Sequence, residues 1–304
     1  MVNARKNTPS YKRVAKPPGM RLMSRDRAVL VSVYHYRVLT SHQIEALHFA
    51  SGNGNRSLRS ACQRRLQQLY QHKLLDRIVR PLIPGEGREP YAYTLARRGA
   101  DVVAETLGVD RAGIGWRPKA GRMGPLFLDH LLMINTMRAV VQLLTQGDIW
   151  SNSDWIDELT LKSAYQDKMP TRRGTGLSRG DKKRIFPDGY FTIRRPGYEH
   201  PTHFFLEVDR ATESNKRWMG KISAYVTFRK SGDSVTHFGT RNFRILTLVS
   251  TARRLENLRA STIRAGGDGY FWFTTAAEIS VWEPERLLDP IWQIAGVQGK
   301  RRLF

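Results

Sequence analysis

The sequence predicts an α/β protein of two unlike parts, and three observations predict it. Helical spacing of apolar residues dominates the first hundred or so positions, strand-forming runs alternate with helices after residue 150, and charge is unevenly spread. The chain has 304 residues, with 50 Lys+Arg against 27 Asp+Glu and a formal net charge of +23. At roughly 100–200 residues per domain, that length holds two compact domains. Residues 1–100 contain 19 Lys+Arg and 5 Asp+Glu, whereas residues 101–150 contain 5 of each. A strongly basic N-terminal module and a more mixed C-terminal one are therefore expected. Hydrophobic residues make up 40% of the chain, enough for real cores, which excludes disorder throughout.

Residues 1–20 contain Arg5, Lys6, Lys12, Arg13 and Lys16 without an acid. They read as a basic flexible arm, with Lys12 and Arg13 as phosphate contacts, or as a solubilising tail. Ser24 offers a helix cap, and 25–37 suits a buried helix with Ala28, Val29, Val31, Val33 and Tyr36. Thr40-Ser41 caps a second helix over 42–49, and the run 51–55 forms a turn. A third helix over 57–72 places Leu58, Cys62, Leu66 and Leu69 in a core stripe at spacings of 4, 4 and 3. Its other face carries Arg56, Arg59, Ser60, Gln63, Arg64 and Gln67, side chains able to bond base edges and phosphates in a major groove. Strand-forming runs at 74–80 and 91–95 flank a Pro/Gly-rich tip that carries Arg88. Three helices followed by such a wing predict a winged helix-turn-helix over 21–108, closed by a helix at 96–107. A small helical domain with a solvated basic face is the plainer alternative.

Residues 109–124, with four Gly and Pro118, read as a linker, and 125–304 as the second domain. The long apolar helix at its start contains Asp129, His130 and Arg138, which argues against a membrane span. His130 reads as a core histidine rather than a ligand. Beyond it come a hairpin at 185–208, a helix, a strand at 243–249, a helix at 252–263 and a strand at 270–274, an α/β domain with a mixed sheet. Asp188 stands near the start of one hairpin strand, and Glu207 and Asp209 near the end of the other. Antiparallel pairing joins those ends, and positions 207 and 209 share a face. Three such carboxylates form a hard-oxygen site for Mg²⁺ or Mn²⁺. That ion could position an attacking water and neutralise charge on a phosphate, with Glu158 assisting. The opposing reading is a surface turn plus acids that pair with Arg.

Phe186-Pro187-Asp188-Gly189 followed by Glu207-Val208-Asp209 resembles the PD-(D/E)xK nuclease superfamily. The resemblance implies a restriction-endonuclease-like fold, with Asp188 and Glu207 as metal-binding acids. Asp209 stands where its lysine is expected; some members keep an acid there, and others carry the lysine on the following helix, where Lys221 or Lys216 would serve. Over 24–228 the chain is similar to the replication-relaxation family of plasmids and integrative elements. The matching stretches include Ser24-Arg25-Asp26-Arg27-Ala28-Val29-Leu30, Leu39-Thr40-Ser41-His42-Gln43-Ile44, Arg64-Arg65-Leu66-Gln67-Gln68-Leu69-Tyr70, and Tyr93-Thr94-Leu95 before Gly99. His130-Leu131 with Asn135, Leu206-Glu207-Val208-Asp209-Arg210-Ala211-Thr212-Glu213 and Lys221-Ile222-Ser223-Ala224-Tyr225 complete the set. This resemblance implies a role in replication, DNA relaxation or transfer of a mobile element.

Two functions follow. In the first, the winged helix finds a site on double-stranded DNA and a Mg²⁺- or Mn²⁺-dependent domain nicks or cleaves it, with Asp188, Glu207, Asp209 and Lys221 as catalytic residues. In the second, the protein is a non-catalytic DNA-binding or partner-docking factor with a degenerate nuclease fold. Other replication or transfer proteins are natural partners, and a membrane is not. The single cysteine, Cys62, excludes an internal disulfide framework and a cysteine-built zinc finger and fits the cytoplasm. Winged-helix proteins often form homodimers, although no heptad seam is visible.

Overall fold

The computed structural model describes residues 12–49, 56–80, 82–83, 87–118, 123–147, 149–152, 155–167, 185–211 and 213–304. Arg5, Lys6, the turn at 51–55 and the basic loop at 171–184 lie outside the described residues. The protein is α/β, and the chain divides into two compact units, 1–135 and 136–304.

The first unit runs α1 (Ser24–Tyr36), β1 (Leu39–Thr40), α2 (Ser41–His48), α3 (Arg56–Gln71), β2 (Leu75–Ile78), β3 (Leu82–Ile83), β4 (Gly87–Arg88), β5 (Ala92–Leu95) and α4 (Arg97–Leu107). Strands β1, β5 and β2 form an antiparallel sheet in that order, and β3 and β4 pair as a separate two-stranded ribbon. Ser24 lies inside α1 rather than capping it. The Asp26 carboxylate does that work, accepting the Met23 N–H at 2.6 Å. At α2 the Thr40 hydroxyl accepts from Gln43 N–H, and the Gln43 side chain accepts from Thr40 N–H, a reciprocal cap. Val29, Leu30 and Val33 of α1 are buried, as are Cys62, Leu66 and Leu69 of α3. Asp26, 1% exposed, pairs with both Arg65 Nε and a second guanidinium nitrogen, tying α1 to α3. Gly99 is required by a close approach, because a Cβ there would run into the Leu74 carbonyl oxygen.

Two segments expected to be loose are fixed in this unit. Arg13 Nε donates to the Tyr70 carbonyl at 2.9 Å, and its Nη2 donates to both the Leu75 carbonyl and the Asp76 carboxylate. The Val14 N–H donates to Gln71 Oε1, and Gln71 Nε2 donates to the Lys12 carbonyl. Residues 12–18 are thus a strap across the end of α3, not a free arm. Trp116 Nε1 donates to the Leu95 carbonyl and Ile114 is buried, so 109–118 folds back onto the same unit instead of running free as a linker.

The division of the chain falls inside α5 (Pro125–Leu144), after Asn135. Leu128, Leu131 and Leu132 join Val38 and Ala92 in one apolar cluster, and the Asn135 amide donates to the Tyr36 and Val38 carbonyls. Residues 128–135 therefore complete the first unit's core, although the sequence groups them with the second domain.

The second unit continues with β6 (Ser151–Asn152), β7 (Ile156–Asp157), α6 (Glu158–Asp167), β8 (Gly189–Arg194), β9 (Thr202–Asp209), α7 (Asn215–Ser231), α8 (Asp233–Phe238), β10 (Phe243–Val249), α9 (Ala252–Arg264), β11 (Phe271–Thr275), β12 (Trp292–Ile294) and β13 (Lys300–Arg301). Its mixed sheet has the order β13-β12-β11-β10-β9-β8-β6, with β7 also paired to β8. Strands β9, β10 and β11 are parallel; the remaining pairings are antiparallel. Phe205, Ile245 and Phe271 on one sheet face pack with Trp218, Ile222 and Tyr225 of α7 and Leu258 of α9. The sequence indicates nothing for 275–304, yet β12 and β13 extend the sheet there. Gly189, after Asp188, again answers a close approach: a Cβ would strike the Trp155 ring.

Candidate functional site

Two places carry the expected functional residues, one in each unit. In the first unit, the apolar stripe of α3 faces inward, which turns Arg56, Arg59, Ser60, Gln63 and Arg64 to solvent. Arg59, with 52% of its side chain exposed, lies 3.7 Å from the Glu45 carboxylate and 3.4 Å from His42 Nε2, both on α2. Burial and then the nearby Arg59 cation push the His42 pKa below its ordinary value. Gln67 departs from the expected role. It is half-buried, and its Oε1 accepts from Arg77, whose guanidinium lies 4.4 Å from the Tyr70 ring centre and 4.5 Å from that of Tyr91. Arg77 has no motif of its own in the sequence; Tyr70 and Tyr91, whose rings flank it, are the signal that marks it. Arg13, bound to backbone and to Asp76, is not a free phosphate contact, and Lys12 enters the strap through its carbonyl. Arg88 lies in β4, with its side chain outside the described residues.

In the second unit, the hairpin register pairs Gly189 with Leu206 and brings Asp188 beside the end of β9. The Asp188 carboxylate accepts the Val208 N–H at 2.7 Å. Alternation along β9 sets Phe205, Glu207 and Asp209 on one face. Glu207 is 2% exposed; its Oε1 accepts the Tyr225 hydroxyl at 2.6 Å and its Oε2 the Lys221 ammonium at 2.8 Å. Lys221 and Tyr225 are four apart on α7, on the buried stripe with Trp218 and Ile222, which is why both reach one carboxylate. Lys216 is exposed and takes no part in that contact. Burial pushes the Glu207 carboxyl above its ordinary range, against the pull of Lys221 and with a further push from the Asp188 charge. Burial opposes the Lys221 charge, yet Glu207, Asp188 and Glu213 together hold its pKa above the usual lysine value. The Thr247 hydroxyl, on the strand position next to Glu207, is buried with no hydrogen-bond partner among the described residues.

Asp209 takes a different partner. Arg254, near the start of α9, donates to its two oxygens at 2.8 Å each, and also to the Glu213 carbonyl at 2.6 Å. The expected metal ligands therefore each have a protein partner. Both oxygens of Asp209 are held by Arg254, both of Glu207 by Lys221 and Tyr225, and one of Asp188 by a backbone N–H. Among the described residues, no three Asp, Glu, His or Cys side chains are grouped so as to hold a metal ion. Glu158, expected to assist, pairs with Lys162 at 2.6 Å along its own helix.

Residues 30–243 match the replication-relaxation family. The chain belongs to the replication-relaxation family. No curated protein and no solved structure matches it. Membership points to a role in the replication or relaxation of a plasmid or other mobile element. The span shared with replication-relaxation proteins includes Gln43, Arg65, Gly99, Asn135, Glu207, Lys221 and Tyr225, each of which has a definite structural task here. Arg254, the clamp on Asp209, lies beyond it. Among the described residues, no helix is long and apolar enough to cross a membrane.

Proposed function

We propose that this replication-relaxation protein is a non-catalytic DNA-binding factor whose first unit is a winged helix-turn-helix that seats α3 in the major groove. The observation that carries the reading is the exposed row Arg56, Arg59, Ser60, Gln63 and Arg64, opposite the buried stripe of the same helix. Arg and Gln are the side chains that bond guanine and adenine edges in pairs, while the other cations hold phosphates. The order of helices α1 to α3, the three-stranded sheet and the ribbon β3–β4 support it, the ribbon serving as the wing. In this reading the second unit, with its acids neutralised by Lys221 and Arg254, is a docking body.

The test is fluorescence anisotropy of the full chain on duplexes selected from a random pool. If about six phosphates are contacted, affinity falls roughly a thousandfold between 50 and 200 mM salt. Arg59→Ala or Gln63→Ala relaxes preference at one base by about 1–3 kcal/mol. Affinity that is flat with salt, or sequence preference unchanged in both variants, refutes the proposal. One observation favours a second reading, nicking by the second unit: Asp188, Glu207 and Lys221 converge from β8, β9 and α7. Supercoiled plasmid incubated with the protein and Mg²⁺ or Mn²⁺ separates the two. Nicked product that is lost in Glu207→Gln supports the second reading; unchanged supercoil supports the first.

A further inference from the structure

A cavity of about 820 Å³ opens at the N-terminal ends of the parallel strands β9 and β10, away from the Glu207 end of the sheet. Because successive strand residues project to opposite faces, it gathers groups from both sides. His203 and Tyr270 line it together with Arg229 from the last turn of α7, and Arg244 lines it from the other face of β10. Among the described residues Asp268 is the only acid in the lining, and it sits 3.9 Å from Arg229. Arg244 has no carboxylate partner among the described residues. It donates to the Leu303 carbonyl and lies 4.5 Å from the Trp272 ring centre. Arg195, close enough to depress its pKa after burial has done so, likewise has no carboxylate partner among the described residues and stacks on Tyr198 at 3.6 Å. Arg244, whose charge burial and Arg195 both oppose, lines the cavity without a carboxylate partner among the described residues, a cost to the fold that a bound anion would offset.

We infer that this cavity binds a phosphate monoester of nucleotide size, with Arg244 and Arg229 as its cationic contacts. Inorganic anions are smaller than the space, whereas ligand pockets of about 300–1,000 Å³ suit a molecule of nucleotide size. Arg is the side chain whose planar fork matches phosphate oxygens in pairs. The Arg229 guanidinium lies 4.7 Å from the Tyr270 ring centre, so ring and cation share one wall, and Asn242 and Thr240 add further polar groups to the lining. Asp268 releases Arg229 at little cost, since an exposed pair 3.9 Å apart is worth at most about 1 kcal/mol. A phosphate monoester has two sources, a free nucleotide or the 5′ end of a DNA strand, and the chemistry at the cavity is the same for both.

The test is isothermal titration calorimetry of the full chain carrying Arg59→Ala, which weakens the proposed groove contact independently. The probes are inorganic phosphate, dAMP, and a short single-stranded oligonucleotide with or without a 5′-phosphate. Saturable binding of dAMP or of the 5′-phosphorylated strand is expected, with inorganic phosphate weaker and the 5′-hydroxyl strand at least tenfold weaker. Arg229→Gln, at an exposed position, and Arg244→Gln should each cost tenfold or more; circular dichroism reports whether the second still folds. dAMP alone binding assigns the free nucleotide, and the 5′-phosphorylated strand alone assigns the DNA end. No saturable binding of any phosphate probe, or equal binding by a folded Arg229→Gln, overturns the inference and leaves the groove reading of α3 untouched.

Discussion

Replacing Arg254 with Met removes the partner of a buried carboxylate and tests whether Asp209 is structural. Arg254 donates to both oxygens of Asp209, to the Glu213 carbonyl and to Asn215 Oδ1. Asp209 is 3% exposed, and its other hydrogen bond comes from the Ala211 N–H. With Arg254 gone, the buried carboxylate loses the guanidinium that offsets its charge, which costs free energy. Breaking such a pair from one side typically costs about 3–5 kcal/mol. At a urea dependence of about 2 kcal/mol per molar, the midpoint should fall by roughly 2 M. Unfolding followed by tryptophan fluorescence is the assay, Trp218 being buried in the same unit. Arg254→Lys should lie between the two, because an ammonium keeps the charge but loses the fork. The double variant Asp209→Asn, Arg254→Met should recover much of the loss, since no buried charge is then unpaired. A midpoint within about 0.5 M of the parent for Arg254→Met would refute the reasoning and return Asp209 to the set of available ligands.

Further outcomes follow from the same geometry. His48, half-buried and hydrogen-bonded to Ser32, is depressed from 6.5 to about 4, by burial and then by Arg25. A depressed folded pKa gives stability that is complete above about 6.5 and is lost as the pH falls towards 4. Urea midpoints should therefore drop by the equivalent of about 2 kcal/mol between pH 7 and pH 5, and His48→Gln should flatten that slope. Arg65→Met leaves buried Asp26 unpaired and should cost the first unit about 3 kcal/mol or more, read by thermal unfolding; no change would mean that the α1–α3 tie is not formed. Gly99→Ala should destabilise the same unit by about 1–3 kcal/mol, because the new methyl meets a backbone oxygen that cannot swing away.

The sequence by itself determined the local structure. Periodicity marked the core stripe of α3 and so identified its solvent face. Thr40 and Gln43, three apart, wrote the start of α2 into four residues. Hairpin pairing and period-two alternation placed Asp188 beside β9 and put Glu207 and Asp209 on one face. These are rules of neighbours, and neighbours are legible in a chain. What only the tertiary structure decided is which partner each group meets. Glu207 and Asp209 lie about 6–7 Å apart along one strand. That is far enough for α7 to supply Lys221 and Tyr225 to one while α9 supplies Arg254 to the other. Arg254 is 45 residues away in sequence from Asp209, and nothing in its local pattern distinguishes it from the other arginines. Arg13 likewise looked like part of a mobile basic arm until the end of α3 presented the Tyr70 carbonyl and Asp76 presented its carboxylate. A charged side chain is read as free until the fold brings an opposite charge within about 4 Å. Only packed elements fix that distance, and so only the packed chain decides whether an acid holds a metal or an arginine.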